Sequence, residues 1–466
     1  MDDFDAPPPK SQWTDSTKTT LGVLIALVVV LIAAGIGIAT IRDARDTVEN
    51  AISTTTTVAP AAGGSTVPDT TPASELTPAQ SRIVEEMKVQ VASIRGLAWK
   101  GSLPVKVVSK EALAQRVRAL NAEEIAENRD EITADESVLK LLKLLEKDVD
   151  YAKTIDSILA GGVLGYYDDE VKELYVGGAG DNLDPATKVT LAHELTHALT
   201  DQHFDFGTRT KALDDENKTE EAFAFSALIE GDAELTASLW QERHLSARER
   251  QQAASGGVTP EALNAYARAP RYLLESLFFP YQSGATFVQG LHRAGGFAEV
   301  DKAYRNPPTS TEHILHPETY ASGQTWSPPA LPDLAAATGC GVVDTGTLGE
   351  FDMIQILSGE LASNDAKRAA AGWNGDAYGA VRCGTALGLA DRWHTDNPAD
   401  AGRLADALAR WARGWSGSTR AADAEGRVTG PTGSARVVRN GDRVDLIVAD
   451  DVATADRLAQ VVLAAA

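Results

Sequence analysis

The sequence predicts an α+β chain, mostly helical with a small sheet, preceded by one transmembrane helix. Three observations carry this expectation: an uncharged apolar run from Leu21 to Ile41, several long stretches with apolar residues at helical spacing, and two β-rich runs at residues 163–167 and 172–176. With 466 residues, 43% of them hydrophobic, the chain has material for a large core. A net charge of -23 and the lack of any Lys/Arg-rich run argue against nucleic acid, because binding phosphates needs a basic face that releases counterions.

The run LGVLIALVVVLIAAGIGIATI occupies residues 21–41. At about 1.5 Å per residue it matches the roughly 30 Å hydrocarbon core of a bilayer, so a transmembrane helix is expected. A cleaved signal peptide is the alternative, with Ala34 and Gly35 offering small residues for cleavage. Lys10 and Lys18 before the run are matched by Arg42 and Arg45 after it, so flanking charge does not set the orientation. The segment Thr54–Pro78 is rich in Thr, Ala, Pro and Gly and too poor in large apolar residues to form a core, which suits a tether to an exported domain. The expected order is a cytoplasmic tail (1–20), the helix (21–41), a linker (42–79) and an extracytoplasmic domain of a single-pass plasma-membrane protein. Cys340 and Cys383 have no C-x-x-C spacing and read as one disulfide, with two buried thiols as the alternative.

Within the folded part, Ile83, Val84, Met87, Val91 and Ile94 mark a helix over residues 80–100, and Val105–Val108 a strand. Helices are expected over Glu111–Asn128 and Ser137–Asp148, the second with a dense leucine face. The two β-rich runs flank Asp168-Asp169-Glu170 and read as a hairpin. Asp184 and Pro185 supply an N-cap and a first-turn proline for a helix running to about Gln202. Further helices are expected over Thr219–Trp240, Pro280–Ala294 and Thr454–Ala465. Asn440-Gly441 marks a late hairpin.

His193-Glu194-Leu195-Thr196-His197 fits H-E-x-x-H on the helix that starts at Asp184. Residues four apart share a helix face, so both imidazoles can reach one metal ion, and imidazole nitrogens suit zinc. Glu194 then serves as catalytic base toward a water rather than as a ligand. Leu191, Ala192, Leu195, Ala198 and Leu199 already provide an apolar face, so packing alone does not call for these polar residues.

The residues leave two candidates for a third ligand. His203 lies ten positions after His193, the outer spacing of the metzincin pattern, but Thr200 stands where that pattern needs a turning glycine. Glu230, in LIEGDAE on the next long helix, is the other. A glutamate on a downstream helix with a second acid four positions on resembles the gluzincin arrangement of thermolysin-like peptidases. That resemblance implies Glu230 as a metal ligand and Glu234 as acceptor of a ligand histidine's second N–H, with Asp232 a weaker candidate for the same role. Gly231 is expected to let this helix approach the His193 helix closely.

Taken with GYYDDEVKELYV, LAHELTHALTDQHFDF, PYQSGATFVQGL and PPTSTEHILHPETY, the chain resembles exported, poorly characterised bacterial gluzincin-like peptidases over roughly residues 163–320. The resemblance implies a zincin-type fold, a zinc cofactor, a peptide or protein substrate, and pairing of an extended substrate with the Tyr166 or Tyr175 strand. His316 and Tyr320 are the first candidates for a donor to the developing oxyanion, followed by Tyr281 and His313. The expected catalytic region is 80–330, followed by a helical region, 331–466, that ends in a hairpin and a helix. Two other readings stand beside an endopeptidase: a non-catalytic, zinc-stabilised surface or scaffold protein, and a zinc hydrolase of a non-peptide amide such as those of the cell wall.

Overall fold

The computed structural model describes residues 76–465 apart from 179 and 257–259. The expected cytoplasmic tail, transmembrane helix and most of the linker lie outside the described residues. No helix among the described residues is long and apolar enough to cross a membrane.

The first described helix, Pro78–Arg95, is started by a capping box in which Thr77 and Gln80 satisfy each other's backbone N–H groups. Its buried positions include Val84, Met87, Val91 and Ile94, as the spacing predicts. Strand β1 (Val105–Val108) and the helix Lys110–Glu127 follow. The leucine-rich helix expected over Ser137–Asp148 is instead Arg129–Leu141, closing where Lys143 takes φ 58°, and a further helix, Tyr151–Gly162, follows under an Asp150 cap. The leucines serve two cores: Leu139 and Leu145 belong to one, Leu141 and Leu142 to the other. Splitting them requires a turn, so a single continuous helical face is not formed.

Strands β2 (Gly165–Asp168) and β3 (Glu173–Gly177) form the expected hairpin. β1 joins it parallel to β3, giving the order β1-β3-β2 and leaving β2 at the edge. Asp184 caps and Pro185 begins the helix Pro185–Phe204, hereafter the motif helix. It is followed by the glutamate helix, Thr219–His244, and by the crossing helix, Arg271–Gly295. The crossing helix was expected to start at Pro280, yet Pro280 lies inside it. An interior proline costs about 3 kcal/mol. Burial of Tyr272, Leu273, Leu274, Phe278 and Phe279 on the preceding turns offsets this, at about 1.5–3 kcal/mol per large side chain.

The C-terminal region differs most from expectation: it is built on a six-stranded antiparallel sheet of order β4-β5-β6-β9-β8-β7 rather than on helices. The strands are β4 (Gly341–Gly346), β5 (Trp373–Cys383), β6 (Ala386–Thr395), β7 (Arg427–Gly430), β8 (Gly433–Asn440) and β9 (Arg443–Ala449). β5 and β6 are rich in Gly and Ala and mostly buried, so neither β-branched residues nor alternation announces them. Trp373, Trp393, Trp411 and Trp415 fill a core with the helix Pro398–Ser416, and a second cluster of Val381, Ala390, Ile447 and Leu458 seats the last helix, Val452–Ala464. The β8–β9 hairpin turns at Gly441, which takes φ 68°.

Cys340 and Cys383 are bridged, with Cα atoms 4.8 Å apart at the point where β4 meets β5. The bridge closes a loop across a sequence separation of 43. A chain-entropy treatment gives such a loop roughly 4 kcal/mol. Titration of the denatured, unreduced protein should therefore find no free thiol, and reduction should lower the thermal midpoint. Two titratable thiols would contradict the bridge.

Candidate metal centre

The motif helix is buried on every side from Thr187 to Asp201, Lys188 excepted. A helix enclosed in this way must find a partner for each polar side chain it carries, because an unpaired buried polar group costs a few kcal/mol. Leu191, Leu195 and Leu199 face hydrophobic neighbours, while His193, Glu194 and His197 have almost no exposure. Their counterpart is Glu230 on the glutamate helix, itself only 1% exposed.

His193 Nε2 lies 3.1 Å from Glu230 Oε2, and His197 Nε2 lies 3.5 Å from Glu230 Oε1. One ligand atom from each of the three residues falls within 4.8 Å of the others, so the cluster could hold a metal ion. On its far side, His193 Nδ1 lies 3.4 Å from Glu234 Oε1. A carboxylate there favours the tautomer that leaves Nε2 for a ligand. The imidazoles are arranged edge to face, 4.6 Å between centroids.

Two features test whether these residues fit a cation. His197 Nε2, Glu230 Oε1 and both oxygens of Glu194 are buried without a hydrogen-bond partner, and such groups are rare in folded proteins unless something else satisfies them. The donor set of two imidazoles and one carboxylate also suits a divalent metal of the zinc type, with a coordination position left open. Burial opposes charge on His193, but Glu230 and Glu234 outweigh it and raise its pKa to about 10. Burial likewise pushes Glu230 upward, but His197 and His193 outweigh it and hold the carboxyl at about 2. The two shifts are halves of one pairing.

Glu194 differs from its neighbours. Burial raises its pKa to about 7, against the opposing pull of His197, His193 and the Tyr167 amide. The amide approaches closely enough to favour the carboxylate, although neither oxygen completes a hydrogen bond with good geometry. Tyr167 lies on edge strand β2. The bond from the Gly177 amide to the Leu164 carbonyl, with the Tyr166–Tyr175 register, directs residues 164 and 166 toward β3, so Gly165 and Tyr167 present their backbone groups to the free edge. Gly165 is forced by the same approach: a Cβ there would meet Thr190 Cγ2 at 2.9 Å and Glu194 Cγ at 3.5 Å.

Several sequence candidates are placed elsewhere. Gly231 faces the crossing helix rather than the motif helix: a Cβ on it would sit 2.3 Å from Gly284 O, and one on Gly284 would sit 2.0 Å from Ala227 O. Adjacent helical residues point about 100° apart, so Glu230 and Gly231 serve different neighbours. Asp232, two positions beyond Glu230, is turned away and receives Arg95 Nε on both oxygens at 2.9 Å. It is half of a buried ion pair and does not orient a ligand histidine. His203 Nε2 donates to the Ala98 carbonyl at 2.7 Å, because the motif helix continues through Thr200 to Phe204 instead of turning back.

His316 is paired with Glu350 at 2.9 Å, and the Tyr320 hydroxyl donates to the Asn306 carbonyl, so the polar groups of both first-ranked donors are engaged away from the ligand cluster. His313 is likewise held by the Gln324 carbonyl. The residue brought to the cluster is Tyr281, one turn before Gly284 on the crossing helix. Its ring stacks on His193 at 6.2 Å, and its hydroxyl hydrogen-bonds to Glu230. Burial and the carboxylates of Glu230, Glu194 and Glu234 push its pKa well up, so it stays a protonated donor. The sequence places Tyr281 behind His316 and Tyr320 as a donor candidate, and the structure reverses that order of proximity to the cluster.

Comparison with known families returns one finding. Residues 338–459 match the model of a family described as Domain of unknown function (DUF8575). The matched segment carries all six strands of the C-terminal sheet and none of the ligand residues. No curated protein and no solved structure matches the chain.

The geometry predicts which substitution removes the metal. Glu230→Ala should purify with little bound metal, whereas His203→Ala should retain it, since loss of one of three ligands far exceeds the roughly 10- to 100-fold effect of an outer partner. Metal analysis of the purified protein and both variants decides the point. Metal retained in Glu230→Ala and lost in His203→Ala would reverse the ligand assignment.

Proposed function

We propose that this chain is a membrane-anchored, extracytoplasmic zinc endopeptidase. The observation that carries the reading is the buried His193–His197–Glu230 cluster with Glu194 beside it, set against strand β2, which pairs with β3 on one side only. A zinc ion on the three ligands would supply Lewis acidity toward a scissile carbonyl and toward a water molecule. Edge strand β2 offers Gly165 and Tyr167 for main-chain pairing with an extended polypeptide. Glu194 takes a proton from the water as its oxygen adds to the carbonyl carbon, and returns that proton to the nitrogen as the C–N bond breaks. Tyr281, protonated and within hydrogen-bonding distance of Glu230, takes over from His316 and Tyr320 the role of donor to the developing oxyanion.

Glu194→Gln should keep metal and fold while turnover falls by about 10²- to 10⁴-fold, the range for a lost general base. Tyr281→Phe should lower kcat by up to about 10²- to 10³-fold with metal content kept. A peptide library with product analysis by mass spectrometry checks both. Turnover unchanged in Glu194→Gln would remove Glu194 as the base, no turnover of any peptide or amide by the metal-loaded wild type would favour a metal-stabilised scaffold, and activity confined to non-peptide amides would favour the cell-wall alternative.

The location is tested separately. Protease added to intact cells should cut within Thr54–Pro78 and release the folded domain, because the linker composition suits an exposed tether. A domain protected until the membrane is opened would place it inside.

A further inference from the structure

Beside the ligand cluster lies a polar junction to which no catalytic step has been assigned. Asp201 sits two turns beyond Glu194 on the motif helix, its side chain only 2% exposed. Three groups converge on its carboxylate. The Tyr167 hydroxyl donates to Oδ2 at 2.8 Å, Lys172 Nζ donates to the same oxygen at 2.5 Å, and the Gly207 amide lies 3.3 Å from Oδ1. Tyr167 is the edge residue of β2 whose amide approaches Glu194, Lys172 closes the β2–β3 turn with φ 56°, and Gly207 follows the end of the motif helix. One buried carboxylate therefore holds the tip of the hairpin, the middle of its edge strand and the next helix.

We propose that Asp201 is a positioning residue that locks β2 against the motif helix and so sets the free edge at the height of Glu194 and the metal ligands. The reason is geometric. A two-stranded tip projecting beyond its sheet is marginal alone, and β1 pairs with β3, not with β2. β2 thus depends on β3 along one side and on Tyr167 and its neighbours beneath. The Tyr167 ring also meets Phe206 edge to face at 6.5 Å, so ring and hydroxyl fix the strand at two points. A Cβ at Gly207 would meet Asp169 Oδ2 at 2.3 Å, so the turn rests directly on the backbone that follows the motif helix. Lys172 offsets the charge that burial would otherwise penalise on Asp201.

The inference rests on the peptidase reading for its functional consequence but not for its structural one, and the test separates them. Tyr167→Phe removes only the hydroxyl, Asp201→Ala removes the whole junction, and Asp201→Asn keeps an acceptor for Tyr167. Hydrogen exchange of the zinc-loaded protein should speed up in residues 165–172 for the first two variants, by about 10-fold for Tyr167→Phe, the scale of one lost hydrogen bond. Asp201→Asn should restore part of the protection, and zinc content should stay at the wild-type level in all three. With a peptide long enough to pair along β2, most of the activity loss in Asp201→Ala should fall on KM, and Asp201→Asn should recover part of it. Unchanged exchange over 165–172 in both Tyr167→Phe and Asp201→Ala overturns the lock, as does zinc loss that tracks the activity loss. Faster exchange in a protein that cleaves no peptide upholds the lock and removes the peptidase reading. If Asp201→Ala does not fold, Tyr167→Phe and Asp201→Asn still decide the question.

Discussion

The rest of the molecule is arranged around the burial of four ionisable side chains, His193, Glu194, His197 and Glu230, in one small volume. Alone, any of them would be neutralised or expelled by the cost of leaving water. Together, Glu230 offsets the two imidazoles, while Glu194 is left with a raised pKa because burial outweighs the pull of the same imidazoles. This solution holds because two helices run side by side through the interior, each buried along the stretch that carries these residues. The glycine contact between Gly231 and Gly284 then brings a third helix to backbone distance and with it Tyr281. Strand β2, the edge of a three-stranded sheet, lies against the motif helix beside Glu194.

The C-terminal sheet is tied into this arrangement through the start of the glutamate helix. The Glu220 carboxylate, ten residues before Glu230, accepts from the Thr311 amide and hydroxyl, and the Thr311 hydroxyl accepts from the Phe351 amide. Phe223 and Phe279 close around Phe351. A second tie runs from Trp415 Nε1 to the Leu141 carbonyl at 2.7 Å. The segment that matches the family of unknown function thus supplies Phe351 and Trp415 to contacts with the helical part of the chain, which makes it a brace for the helix that presents Glu230. The buried Arg95–Asp232 pair, joined by Asp301 2.7 Å from Arg95, braces the same helix from the other side.

The His193–His197 pair of the candidate metal cluster was legible because its spacing is a local property: residues four apart on a helix meet whatever surrounds them. The hairpin around Asp168–Glu170, the Asp184 cap and the late Asn440-Gly441 turn were legible for the same reason. Where each side chain points in the third dimension was not. Asp232, Gly231 and Glu230 are consecutive or nearly so, yet one meets Arg95, one meets Gly284 and one meets the two histidines, and their order alone does not say which face meets which neighbour. The same limit applies to His316 and Tyr320, whose family-like surroundings suggested chemistry but whose polar groups are engaged by Glu350 and Asn306.

The six-stranded sheet shows the limit most clearly. β5 and β6 hold together through non-local pairing and burial on both faces, and their Gly- and Ala-rich sequence carries little intrinsic preference for a strand. What the sequence by itself determined was the local chemistry: a capped helix with two histidines and a glutamate in fixed relation, a downstream glutamate, and two cysteines able to bridge. Only the tertiary structure decided which tyrosine reaches the cluster, which glycine carries the helix crossing, and which carboxylate receives Tyr167 and Lys172 of the hairpin. Those choices depend on contacts between residues distant in sequence, and packing, not local preference, sets them.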